Sequence, residues 1–211
     1  MIKEVVKFVA TFVVIMFIGY MIVERANAYS IMKTTIKQSM NITQSFYIIS
    51  KKTPYKFSQI AAIAHIESRG NPYAVSPSGA KGLYQFTSKT WKNLKDKHGL
   101  ANFPDKPSFD IYQQTVMMTH LILDNIDNLK WWMNPSESPF SRPIDIEYVY
   151  LAHVAGPFNS FKIWKLDDNR KVTCVDSRII RFNPTIFLKK DGSIRTKKEL
   201  IERVTKLLND G

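Results

Sequence analysis

Glu67 sits where an apolar residue is due. Ile60, Ile63, Ala64 and Glu67 recur at the spacing of one helical face, three core-type side chains followed by a carboxylate. Burial beside such neighbours disfavours the charged form. A place in the last turn of a helix disfavours it too, because the backbone carbonyls there form the negative end of the macrodipole. Both effects favour a carboxyl group that keeps its proton near neutral pH, as a general acid must. Spacing alone leaves a plainer reading open: a glutamate at the edge of the stripe, paired with Arg69 or reaching water.

Other residue types that do chemistry are thinly spread. His65-Ile66-Glu67 is not a zinc pattern, and His98 and His120 have no partners at ligand spacing. Cys174 is the only cysteine, which excludes an intramolecular disulfide and a thiolate metal cage, and its expected role is that of a small apolar residue. The sequence contains no glycine-rich phosphate loop and no serine-nucleophile elbow. No metal and no cofactor is expected. The formal net charge of +12 implies attraction to something anionic. Nucleic acid, phospholipid headgroups and bacterial wall polymers all satisfy it.

The N-terminus narrows that choice. After Lys3 and Lys7 the chain is apolar and uncharged from Phe8 to Val23, a run of about sixteen residues. It reads either as a membrane anchor, with Val5 and Val6 extending it and Lys7 snorkelling, or as a signal peptide cleaved after Ala26-Asn27-Ala28. Either way the lysines stay cytoplasmic and the rest of the chain crosses the membrane. The working part is therefore expected outside the cytoplasm, which disfavours a nucleic-acid binder.

The elements that must position Glu67 are helices. Residues 1–28 form the anchor or signal, 29–56 a linker or first helix, and 57–211 the functional domain. A helix is predicted from Phe57 to about Arg69, stopped by Gly70 and Pro72. Asn71 to Gln85 reads as a loop with a short hairpin. Further helices are expected through Trp91 and Leu94, from Asp110 to about Leu129, from Ile144 to Ala155, and through Phe161 and Trp164. Thr196 and Glu199 match a capping box ahead of a basic C-terminal helix. The fold class is mainly α with little or no sheet.

The loop after Glu67 adds a second line of reasoning. Glu67-Ser68, Asn71-Pro72, Ala74, Ser76, Gly79-Ala80, Gly82-Leu83 and Gln85-Phe86 together resemble the signature of soluble lytic transglycosylases and goose-type lysozymes. Tyr150-Leu-Ala-His-Val-Ala-Gly-Pro157 is similar to a second block of that superfamily, in its phage-type A-H-x-x-G form. The tail around Asn183-Pro-Thr-Ile-Phe187 resembles the same members, so the likeness spans about Phe57 to Leu208.

The resemblance implies a lysozyme-like helical domain acting on the glycan strands of peptidoglycan, with Glu67 as the catalytic acid. It implies cleavage between N-acetylmuramic acid and N-acetylglucosamine with formation of a 1,6-anhydro end, helped by the sugar's own acetamido group. Ser68, Ser76, Gln85, Tyr84 and His153 are implied to bind substrate or brace the site, and Gly79 and Gly82 to let the backbone approach the sugar. His153 and Val154 depart from the commoner pattern of tyrosine and asparagine, whose tyrosine hydrogen-bonds the acid. Asp110, Asp124 and Glu147 occupy no motif position and are expected to cap helices or face solvent. The alternatives are a goose-type lysozyme that uses water, or a wall-binding protein without catalysis. The setting implied is a phage muralytic enzyme, or the wall-opening component of a secretion or conjugation system.

Overall fold

The computed structural model describes residues 20–25, 41–133 and 144–210. The chain divides into two compact units, Met1–Met40 and Asn41–Gly211. In the first, residues 20–25 are helical and the Tyr20 hydroxyl donates to Glu24 Oε1 at 3.0 Å. Most of the apolar run from Phe8, the Ala26-Asn27-Ala28 site and residues 29–40 lie outside the described residues. Among the described residues no helix is long and apolar enough to cross a membrane.

The second unit is built of helices: α1 (Ile42–Lys52), α2 (Phe57–Ser68), α3 (Ser88–Lys97), α4 (Ile111–Met133), α5 (Ile146–Ala155), α6 (Pro157–Trp164), α7 (Ser177–Phe182), α8 (Pro184–Phe187) and α9 (Lys197–Asp210). Strand-type pairing among the described residues is confined to isolated antiparallel bridges such as Val75 with Lys81 and Lys81 with Phe86. The expected hairpin after Glu67 is thus two bridges rather than a strand pair.

Local chemistry sets the helix ends. Asn41 and Gln44 form a reciprocal capping box that starts α1, each side chain accepting the other's backbone N–H at 2.8 Å. Thr196 and Glu199 do the same for α9, and Lys189 reaches Glu199 Oε1 at 2.6 Å. Helix α2 ends one residue earlier than the glycine suggests. Arg69 itself takes the left-handed conformation at φ 56°, and its N–H and that of Gly70 close onto His65 and Ala64 carbonyls. Gly156 closes α5, and Pro157 opens α6 at a position where a missing N–H costs nothing.

Helix α4 is the centre of the packing, with α1, α3, α5 and α6 laid against it, while α9 covers α2 and α5. Its buried stripe includes Met118, Ile122, Ile126 and Leu129, as the periodicity predicts. Trp91, fully buried, packs its ring against Phe86 and Phe103 and donates its indole N–H to the Pro104 carbonyl at 2.8 Å. A buried chain of hydroxyls ties three segments together. Ser45 Oγ of α1 lies 2.9 Å from the Tyr84 hydroxyl and 2.7 Å from Thr115 Oγ1 of α4.

Candidate active site

Helix α2 delivers Glu67. Ile60, Ile63 and Ala64 on its stripe are buried to within 1 % of complete enclosure, which fixes the rotation of the helix about its axis. Glu67 lies one turn on, where the stripe reaches the edge of the core, and its side chain keeps 17 % exposure. The carboxylate is neither sealed in the core nor surrounded by solvent.

Helix α5 supplies the groups that hold it. His153 Nε2 is 3.7 Å from Glu67 Oε1, and the imidazole is itself only 10 % exposed. That distance is too long for a hydrogen bond and short enough for an ion pair when the ring is protonated. Tyr150, one turn earlier and 1 % exposed, hydrogen-bonds Glu67 through its hydroxyl. Burial first, and then the charge of Glu67 and that hydrogen bond, push the Tyr150 phenol far above its ordinary range. It is a permanent donor. The tyrosine contact that the His153 departure put in question is thus made from three positions upstream on the same helix. Tyr150 opens the second sequence block, but nothing in the sequence alone gives it this role.

The loop from Asn71 to Phe86 wraps the end of α2. Ser68 Oγ bridges the Ala64 carbonyl at 3.0 Å and the Leu83 carbonyl at 2.9 Å, stitching the helix end to the loop. Ser76 Oγ accepts from the Ala80 N–H at 3.0 Å and lies 2.9 Å from Ser78 Oγ, bracing a turn. Gln85 takes the left-handed region at φ 51°, and its amide donates to the Gly82 carbonyl at 2.9 Å. These three side chains hold the loop's shape through contacts within it or to α2.

Tyr84 stands differently from its expected role. Its ring is wholly enclosed, and its hydroxyl is engaged with Ser45. Burial raises its pKa, with the Ser45 hydrogen bond opposing. A ring with no free face cannot stack on a sugar, so Tyr84 acts as core here. Phe86 is core as well, and its ring meets that of His153 edge-on at 6.4 Å.

Gly82 shows why the loop needs glycine. Its φ is +82°, and an added Cβ would fall 2.6 Å from Gln114 Cδ and closer still to Oε1. What the backbone approaches there is Gln114, a fully buried side chain of α4, not open space for a ligand. Gln114 Oε1 accepts the Leu83 N–H at 2.5 Å, and Nε2 donates to the Pro72 carbonyl at 3.3 Å. One amide therefore clamps both ends of the loop. Sequence reading misses it, although Gln114 is a polar residue on a buried face, the same signal that singles out Glu67.

Asp110, Asp124 and Glu147 are tied elsewhere. Asp110 accepts the Gln113 N–H at 2.9 Å at the start of α4. Asp124 pairs with Lys97 at 2.7 Å and His98 at 3.0 Å, and Glu147 accepts from Thr205 at 2.8 Å. His98 and His120, distant in sequence, stack with ring centroids 3.9 Å apart. Among the described residues no cluster of three such side chains is placed to hold a metal.

A helical domain that carries one partly shielded carboxylate at a helix end, gripped from a second helix and framed by a glycine-turned loop, is consistent with a lysozyme-like construction. Residues 44–132 match the family described as the Transglycosylase SLT domain, a finding consistent with the SLT and lysozyme-like superfamily. That family is of the transglycosylase type and acts on peptidoglycan. The match takes in α1 to α4, with Glu67, Ser76, Gln85 and Gln114, and ends before α5. Tyr150 and His153 lie beyond it.

Proposed function

We propose that this protein is a peptidoglycan lytic transglycosylase with Glu67 as its acid and base. The observation that carries the reading is the Glu67 carboxylate itself, which lies within the SLT-matched residues, keeps 17 % exposure and faces Tyr150 and His153 of α5. Protonated Glu67 gives its proton to the glycosidic oxygen between N-acetylmuramic acid and N-acetylglucosamine as the C1–O bond breaks. The neighbouring acetamido group shares the positive charge at C1, which removes the need for a second carboxylate flanking the bond. The carboxylate then takes the proton of the muramoyl C6 hydroxyl as that oxygen bonds to C1. Atoms balance without water, and Glu67 ends protonated as it began.

Tyr150 keeps the carboxylate oriented through both steps. His153 Nε2, 3.7 Å from Oε1, faces the anion left after the first proton transfer. The apolar run from Phe8 to Val23 supports export or anchoring, with the catalytic unit acting outside the cytoplasm. The A-H-x-x-G block and the tail favour wall penetration or lysis in a phage as the setting.

Digestion of purified sacculi followed by mass spectrometry of the fragments tests the chemistry. The expected products carry 1,6-anhydromuramoyl ends, and Glu67→Gln yields none. Reducing muramoyl ends would establish a hydrolase instead, and equal clearing by Glu67→Gln would remove this residue from the reaction.

A further inference from the structure

The end of α4 and the exposed side of α6 form an aromatic face that the catalytic reading leaves unused. Trp131 is 70 % exposed, Phe158 56 % and Trp164 38 %, an unusual concentration of large apolar surface. The rings are mutually packed: Trp132 meets Phe158 at 5.6 Å and Phe161 at 5.7 Å, and Phe161 stacks on Trp164 at 6.2 Å. On α6, Phe158, Phe161, Lys162 and Lys165 fall on one side of the helix, with Ser160 and Ile163 turned into the core. Half-buried Lys162 has its Nζ 5.2 Å from the Phe158 ring centroid and donates to the Cys174 carbonyl at 2.8 Å, while exposed Lys165 has its Nζ 5.5 Å from the centroid of Phe161.

We propose that this aromatic and lysine face docks on the headgroup region of an anionic lipid bilayer. Tryptophan and lysine together are the chemistry of the membrane interface, where the indole sits at headgroup depth and the ammonium stays with the phosphates on a flexible stem. The net charge of +12 complements an anionic leaflet. A glycan platform fits less well, because sugars stack on open ring faces and the two phenylalanines already carry ammonium groups. A protein interface fits less well too, since such surfaces are enriched in aromatics but depleted in lysine. Among the described residues, the acidic groups nearest in sequence are Asp127, one turn before Trp131, and Asp167 and Asp168 after α6.

The four tryptophans stand at positions 91, 131, 132 and 164. Trp91 is fully enclosed, so indole emission reports the face without interference from the N-terminal run, which contains no tryptophan. The experiment mixes the full chain with phosphatidylcholine vesicles containing phosphatidylglycerol, acyl chains brominated, and monitors tryptophan quenching. Wild type is quenched, and the double variant Trp131→Phe with Trp164→Phe, which keeps its rings and its circular dichroism, loses most of the quenched component. Lys165→Gln weakens the part that depends on phosphatidylglycerol about fivefold, the equivalent of about 1 kcal/mol per lysine at such a surface. Absence of quenching in wild type overturns the proposal, as does an unchanged quenched component in the double variant or indifference to phosphatidylglycerol. Shielding of the indoles by soluble wall fragments, or by self-association without vesicles, overturns it in favour of a glycan site or a homo-oligomer contact.

Discussion

Replacing Gly82 by alanine tests whether the loop beside Glu67 is held by one buried amide. The new Cβ meets Gln114, which cannot retreat because its side chain is fully enclosed. An L-residue at φ +82° costs about 1–2 kcal/mol. Pushing the amide away leaves the buried Leu83 N–H without its acceptor, about 1–3 kcal/mol, and the overpacking adds about as much again. Together these reach about 3–8 kcal/mol, against a total stability of about 5–15 kcal/mol for a typical domain. In a Gln114→Ala background the collision and the hydrogen bonds are already gone, so the same glycine substitution costs only the backbone share, about 1–2 kcal/mol. Denaturant titrations of the four chains, read by circular dichroism, give the coupling directly, expected at about 2–6 kcal/mol. Equal cost of Gly82→Ala with and without Gln114 refutes the clamp.

Two further outcomes rest on named contacts. Tyr150→Phe keeps the buried ring and deletes the hydrogen bond to Glu67, so turnover on sacculi should fall about 10- to 100-fold, in line with about 1.5–3 kcal/mol for a bond to a charged group; thermal stability should change much less, and unaltered turnover would deny the hydroxyl a part in the reaction. Burial and then the neighbouring His98 lower the pKa of His120 below 6.5, with Asp124 opposing and Lys52 and Lys97 adding slightly. The unfolded chain therefore takes up this proton first, so stability falls as the pH drops below about 6.5. His120→Gln should flatten that part of a melting-temperature profile, and an identical slope in the variant would show that another group sets it.

What the sequence disclosed and what it hid divide along the range of the interactions. Helix periodicity and capping chemistry are local, so the stripe before Glu67, the Thr196 and Glu199 box and the Gly156-Pro157 junction are legible residue by residue. Boundaries shift where a tertiary contact decides them: Arg69 adopts the left-handed turn itself, and Ile144 precedes α5, its carbonyl accepting the Tyr55 hydroxyl at 2.7 Å. Tyr84 is open to either a sugar face or the core on sequence grounds because its enclosure depends on Ser45, 39 positions away. Tyr150 and Gln114 are hidden for a related reason. Each serves a partner on another helix, and neither the period nor the composition names that partner. Helices α7 and α8 fall in a tract for which periodicity predicts no helix.

The hydroxyl chain through Ser45 carries a practical lesson for anyone shortening this protein. A fragment trimmed at Pro54 would look like a tidy removal of a leader, yet it would strip away α1, expose the surface of α4 beneath it and leave the enclosed Tyr84 phenol with no mate. Trimming before Asn41 spares the whole brace, including the first residue of its cap.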